Sequence, residues 1–418
     1  MMMYKKIEYQ KFTLDNGLTC ILHQDLTTPL VGISMVYKVG SRNESPQMTG
    51  LAHLFEHLMF SGTKYIKDFD IPLQRAGGDG NAYTNQDITN FYCSLPAENL
   101  EVAFWLESAR MEELKISKRK LNTQKKVVIE EFKETCLDEP YGDVWHHISK
   151  ACYQEYPYKW PVIGLELDHI ARVEMEDAMS FYQEHYTPKN AILALRGKFD
   201  LDHVKSLIEK WFAKIPSTGH NHLLKKSERT HKGYKKLEIT GNGSNDTLYL
   251  CFLMCERNDP RYYAVDLLSD LLGSGKSSLL YAKLVKETAK FLAVDAYVTS
   301  TDGPGLLIIE VKPHKEVCLT EAEALIWALL DGIKKEEIPE ETVEKLKNKT
   351  LSSMIFSELS PSNMAINLAC FEALGDVEEI NREVDSYLAC RSENLQEAAK
   401  YFLDKDNCVS IHYKGTNT

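Results

Sequence analysis

His53-Leu54-Phe55-Glu56-His57 places two imidazoles four residues apart with a carboxylate between them. On a helix that spacing sets the rings about 40° apart around the axis and about 6 Å along it, so both can face one ion. Neutral imidazole is a favoured zinc ligand, and a carboxylate beside such a pair can take a proton from water that the ion activates. The order is H-x-x-E-H, the inverse of the commoner H-E-x-x-H, because position 54 is Leu. The same pattern also fits two helix histidines packed or solvated for ordinary reasons, with Glu56 on a wet face.

A zinc site of this kind needs a third protein ligand and keeps its fourth position for water. The stretch from Lys126 to Glu134 offers carboxylates at Glu130, Glu131 and Glu134. At about 100° per residue, Leu121, Val128 and Phe132 share an apolar stripe, Glu131 falls between Val127 and Val128, and Glu130 points away from it. Glu131 is thus the carboxylate turned to the interior side, where a metal would compensate a charge that burial makes costly. A boundary Glu paired with Lys or Arg would occupy the same angle.

The elements that must hold these groups are readable in outline. A helix is expected from Gly50 to Phe60, between Pro46 and Gly62. Strands are expected at Leu18 to His23 and Val31 to Val39, and extended chain with an interruption from Ala82 to Leu95, after Gly77-Gly78 and Asp79-Gly80. Helices follow at about Leu100 to Glu113 and Ser117 to Thr135, then a strand at Asn190 to Arg196. Between Pro216 and Tyr234 few residues are apolar, which marks a linker. The order then begins again, with strands at Lys236 to Thr240 and Thr247 to Met254, a helix at Arg261 to Leu272, another helix, and a strand at Gly305 to Val311. The expected fold is α+β: two homologous α/β-sandwich halves, each a mostly antiparallel sheet flanked by helices. The expected boundaries are 1–216, a linker at 217–234, and 235–418.

With 418 residues, 44% hydrophobic and 26% charged, the chain can bury a sizeable core without disulfides. Its net charge of -12 and lack of a basic cluster argue against nucleic acid as a partner. No apolar run approaches the ~20 residues of a membrane span. The ten scattered cysteines and a start lacking a secretory core point to a protein that is cytoplasmic or already processed from a longer precursor.

Gly50 to Thr63, reading GLAHLFEHLMFSGT, closely resembles the signature of the pitrilysin or M16 zinc metallopeptidases, most like small bacterial members and the processing peptidase β subunit of mitochondria. Asn16-Gly17-Leu18, Gly40 to Glu44, Asn81 to Thr84, Val127 to Glu131, Pro140 to Gly142, Trp160 to Gly164 and Tyr186 to Ala191 fall in that family's order. The resemblance is dense in the first half and loose in the second. It implies that His53, His57 and Glu131 bind zinc, that Glu56 is the general base, and that the strand with Asn81 and Ala82 pairs with an extended peptide substrate. Many relatives have a second Glu seven residues before the ligand Glu, where this chain has Gln124.

Family members also hold substrate with an Arg and a Tyr seven residues apart in the second half. The best alignment puts Lys286 and Ala293 there, and neither has the guanidinium fork or the hydroxyl. The expectation is a zinc-dependent peptidase that works as a heterodimer with a homologous M16 subunit carrying the missing pair. The alternative is a non-catalytic, core-like structural subunit of the same fold. Gly273 to Ser277 imitates a phosphate-binding loop but has Asp270 where the earlier Gly belongs, so a helix-ending turn is expected. Cys251 and Cys255 are expected to be core thiols.

Overall fold

The computed structural model describes residues 6–63, 65–112, 114–218 and 233–416. In chain order the strands and helices are β1 (Gln10–Thr13), β2 (Thr19–Gln24), β3 (Leu30–Tyr37), α1 (Leu51–Phe60), α2 (Asp70–Arg75), β4 (Asp79–Thr84), β5 (Thr89–Pro96), α3 (Leu100–Glu112), α4 (Lys118–Phe132), α5 (Val144–Cys152), α6 (Leu167–Ala171), α7 (Met175–His185), β6 (Ala191–Gly197) and α8 (Leu201–Phe212). After them come β7 (Lys235–Gly241), β8 (Thr247–Leu253), α9 (Tyr262–Gly273), β9 (Phe291–Val298), β10 (Leu306–Pro313), α10 (Leu319–Lys335), α11 (Glu340–Glu358), α12 (Pro361–Ala373), α13 (Glu379–Ala389), α14 (Ser392–Phe402) and β11 (Cys408–Gly415). Most expected elements fall within a residue or two of these bounds. β9 was not among the expected strands, and the expected helix at Ser117 to Thr135 ends at Phe132 and continues as a π-helical segment, Lys133–Asp138.

The first sheet runs β1-β2-β6-β3-β5-β4 and the second β7-β11-β8-β10-β9. In each, a parallel pair (β2 with β6, β7 with β11) is followed by antiparallel neighbours. β2, β3, β4, β5 and β6 therefore correspond in order to β7, β8, β9, β10 and β11, and α1 corresponds to α9. The repeat that sequence identity alone leaves open is written in the topology.

Chain packing forms two compact units that exchange segments: one holds residues 1–132, 160–224 and 353–382, the other 133–159, 225–352 and 383–418. The linear boundaries at 216 and 235 follow chain order and not this packing; of the expected linker, residues 219–232 lie outside the described residues. In the first unit one face of the sheet packs on α1, α3, α7 and α8 through residues such as Met35, Phe55, Phe104 and Ile208. Its other face, with Ile21, Val36, Ile192 and Ala194, is covered by Met364, Leu368 and Ala369 of α12. The fit is close enough that a Cβ on Gly32 of β3 would lie 2.3 Å from the Pro361 backbone. In the second unit Val144, Ile148 and Ala151 of α5 cover Tyr249, Cys251 and Ile411. Phe252, the neighbour of Cys251 on β8, meets Trp327 of α10 with ring centroids 5.8 Å apart, as strand alternation requires.

The turn beyond α9 places Gly275 at φ +84°, which suits the expected helix stop. Cys251 and Cys255 are both buried. No helix among the described residues is long and apolar enough to cross a membrane.

Candidate metal centre

Helix α1 carries His53, Glu56 and His57, and its apolar side (Leu51, Ala52, Leu54, Phe55, Leu58, Met59) is buried. The first backbone N–H groups of a helix have no partner inside it. Here Glu44, six residues before Gly50, supplies them from outside: Gly50 N donates to its Oε2 at 2.8 Å and Ala52 N to its Oε1 at 2.9 Å. Trp160 Nε1 donates to the same carboxyl at 3.1 Å and to Ser41 O at 3.0 Å. Burial pushes the Glu44 pKa up to about 8 while these donors pull it down. Gly50 itself sits at φ +88°, and a Cβ there would lie 2.5 Å from Ile170 Cδ1.

Helix α4 brings the third group. Leu121, Val128 and Phe132 are buried, Glu130 is exposed and Glu131 is half-buried, as the helical angles require. Lys120 Nζ donates to Gly62 O at 3.1 Å, which ties α4 to the chain just past the end of α1. His53 Nε2 lies 3.5 Å from Glu131 Oε1, His57 Nε2 lies 3.2 Å from Glu131 Oε2, and the two Nε2 atoms are 3.3 Å apart. Donors bound tetrahedrally at about 2.0–2.1 Å from one zinc ion lie about 3.3–3.4 Å from each other. Spacing and donor types therefore both fit zinc. Among the described residues these three form the one group of His, Cys, Asp or Glu side chains spaced to hold a metal ion.

Electrostatics favour the ligand forms of His53 and Glu131. Burial lowers the His53 pKa to about 4, although Glu131 pulls it up. The hydrogen bond with His57 holds the Glu131 carboxyl below the usual carboxylate value, against burial and with help from His53. Among the described residues His53 Nδ1 is buried with no hydrogen-bond partner.

Glu56, beside His57, accepts a hydrogen bond from Thr84 Oγ1 at 2.6 Å on Oε2. Burial raises its pKa, with Thr84 and His57 acting in the opposite sense and Glu131 adding to the rise. Asn81 and Ala82 lie on β4, the outermost strand of its sheet, and Ala82 N donates to Asn81 Oδ1 at 2.8 Å. In the second unit Lys286 is exposed on the π-helical segment Tyr281–Glu287, and Ala293 is exposed on β9. The counterpart helix α9 contains no histidine.

The residues picked from sequence as a metal set thus come together, with Glu56 alongside. Sequence reading assigned no role to Glu44 or Thr84. Both lie in segments that carry the family resemblance, but nothing in their spacing announces a contact with α1.

A repeated α/β sheet, with an H-x-x-E-H helix set against a carboxylate-bearing helix, defines the class by fold and by a side-chain set spaced to hold a metal ion. Residues 19–165 match the family model described as "Insulinase (Peptidase family M16)", and residues 172–350 match "Peptidase M16 inactive domain". The chain belongs to peptidase family M16. It is 29% identical over 411 residues to "Zinc protease PqqE" of Helicobacter pylori, covering 95% of this chain and 91% of that protein. It is 23% identical over 420 residues to the Arabidopsis thaliana protein named "Probable mitochondrial-processing peptidase subunit beta, mitochondrial", covering 95% of this chain and 77% of the other. The crystal structure of a protease from Helicobacter pylori superimposes with a TM-score of 0.93 at 26% identity, covering 98% of this chain and all of that one.

Proposed function

We propose that this chain is a zinc-dependent peptidase acting on extended peptides, with His53, His57 and Glu131 as the metal ligands and Glu56 as the general base. The observation that carries the reading is the convergence of two imidazole nitrogens and a carboxylate at 3.2 to 3.5 Å from one another, with a second carboxylate beside them. The names of relatives as zinc proteases support it.

Bound there, zinc would supply Lewis acidity toward a carbonyl oxygen and would make a water molecule acidic near neutrality. The rest falls to side chains. Glu56 takes the proton of the attacking water and then delivers it to the amine nitrogen as the C–N bond breaks. A peptide strand would lie along the open edge of β4, where the Ala82 N–H, now taken by Asn81 Oδ1, is a donor for its backbone. Such pairing reads backbone more than side chain, so specificity would be broad.

On this reading residues 1–216 carry the catalytic function and 235–418 do not, supported by the histidine-free α9. A homologous partner subunit would supply the Arg/Tyr pair that Lys286 and Ala293 cannot replace. The test is a zinc measurement with cleavage of a quenched peptide, with and without a candidate partner. Glu56→Gln is expected to lose about 100-fold or more in turnover with zinc retained. Full activity from the purified chain alone would overturn the partner requirement. No zinc-dependent cleavage with the partner present would favour the non-catalytic, core-like subunit.

A further inference from the structure

We infer that Thr84 is a positioning residue for the general base: from the end of β4 its hydroxyl fixes Glu56 Oε2 and so leaves Oε1 as the oxygen presented to water. The inference rests on the peptidase reading above and adds to it a residue whose role neither spacing nor motif assigns.

A hydroxyl has one proton to donate. Thr84 Oγ1 lies 2.6 Å from Glu56 Oε2 and 3.5 Å from Thr89 Oγ1, while Thr89 Oγ1 donates to Val39 O at 2.9 Å. The short contact to a carboxylate oxygen is the stronger of the two open to Thr84, so its proton points at Glu56. Among the described residues Glu56 Oε1 has no hydrogen bond, so the two oxygens have different tasks.

The donor is held firmly. Thr84 and Thr89 form the last pair of the β4–β5 hairpin. The turn between them is pinned from outside, because Ser41 N donates to Asn85 O at 3.2 Å and Arg42 N to Gln86 O at 3.0 Å, and Arg42 pairs with Asp87 at 2.8 Å. The same short loop ends in Glu44, which holds the start of α1. One loop thus fixes both the helix that bears Glu56 and the hairpin that bears its hydrogen-bond donor. Thr84 also follows Ala82 by two residues on β4, so the hydroxyl that holds Glu56 stands on the same edge strand along which substrate would pair. A base oriented by a third group in this way is the usual arrangement where proton transfer must be directional.

The test compares wild type, Thr84→Val, Thr84→Ser and Glu56→Gln, each in the complex that is active on a quenched peptide. The readouts are kcat, KM, bound zinc and the unfolding midpoint. Thr84→Val keeps the shape and removes the donor. It is expected to lose about 10- to 100-fold in kcat with KM and zinc content within about twofold of wild type. Thr84→Ser restores the donor and is expected to return kcat to within about threefold of wild type. A Thr84→Val kcat within twofold of wild type, a loss carried by KM alone, or failure of the serine variant to recover would overturn the inference. Those results leave the peptidase reading intact as long as Glu56→Gln is inactive. Wild-type turnover by Glu56→Gln would instead remove the base itself, and the role of Thr84 with it.

Discussion

Residues 1–216, the first half in chain order, should not fold stably alone, because one face of their sheet is covered by helix α12 and the chain that follows it, within residues 353–382. Met364 is 3% exposed, Leu368 0%, Val377 1% and Ile380 2%, all packed on the face formed by Ile21, Val36, Ile192 and Ala194. At about 1.5–3 kcal/mol for each buried side chain, those four contribute about 6–12 kcal/mol. That is comparable with the whole stability of an ordinary domain, about 5–15 kcal/mol, before the uncovered sheet residues are counted. The assay is urea unfolding of three proteins: the full chain, residues 1–216, and residues 1–216 joined to 353–382 by a flexible linker. Tryptophan fluorescence follows the transition, and binding of a hydrophobic dye reports the bared face. The short fragment should bind dye and lack a cooperative transition, and the joined one should regain it. A short fragment that unfolds cooperatively at the midpoint of the full chain would refute the reasoning.

Glu131→Gln should weaken zinc by about 100-fold or more, since even a residue that only supports a ligand is worth about 10–100-fold in metal affinity and Glu131 stands in the proposed ligand set itself; chelator competition measures it, and wild-type affinity would remove Glu131 from the site. Glu44→Ala leaves the Gly50 and Ala52 N–H groups buried without their acceptor, at about 1–3 kcal/mol each. Its thermal midpoint should fall by several degrees, and an unchanged midpoint would mean other groups satisfy the start of α1. Glu323, despite burial, is brought down to about 2 by hydrogen bonds from His412, Tyr234 and Trp327. A carboxyl whose folded pKa is depressed stabilises the fold above its unfolded value, and that contribution disappears as pH falls through the folded one. The advantage of wild type over Glu323→Gln in urea should therefore be full above about pH 4.5 and fade towards pH 2; an advantage constant over that range would contradict it.

Two elements illustrate why part of the site is legible without coordinates and part is not. On α4 the choice of Glu131 over Glu130 follows from helical angle relative to Leu121, Val128 and Phe132, all buried as expected. On α1 the pairing of His53 with His57 follows from one turn of helix. Glu44 and Thr84 are different, because each reaches α1 through a segment held by residues distant in the chain: Trp160, Asn85 and Gln86 for the loop that ends in Glu44, Ser41 and Arg42 for the hairpin that bears Thr84. β9 is not legible for a related reason: Phe291–Val298 mixes exposed and buried positions without alternation, and its identity as an edge strand comes from pairing with β10.

By itself the sequence determined what local geometry controls: the helix bearing His53, Glu56 and His57, the inward angle of Glu131, and two halves built from the same order of elements. Tertiary structure alone decided which sheet α5 and α12 cover, which carboxyl holds the start of α1, and which hydroxyl holds Glu56. The division has one physical cause. Periodicity acts between residues a few positions apart, whereas the closing of a core or a hydrogen bond across hundreds of residues depends on which surfaces exclude water together, and no short window of sequence contains both partners.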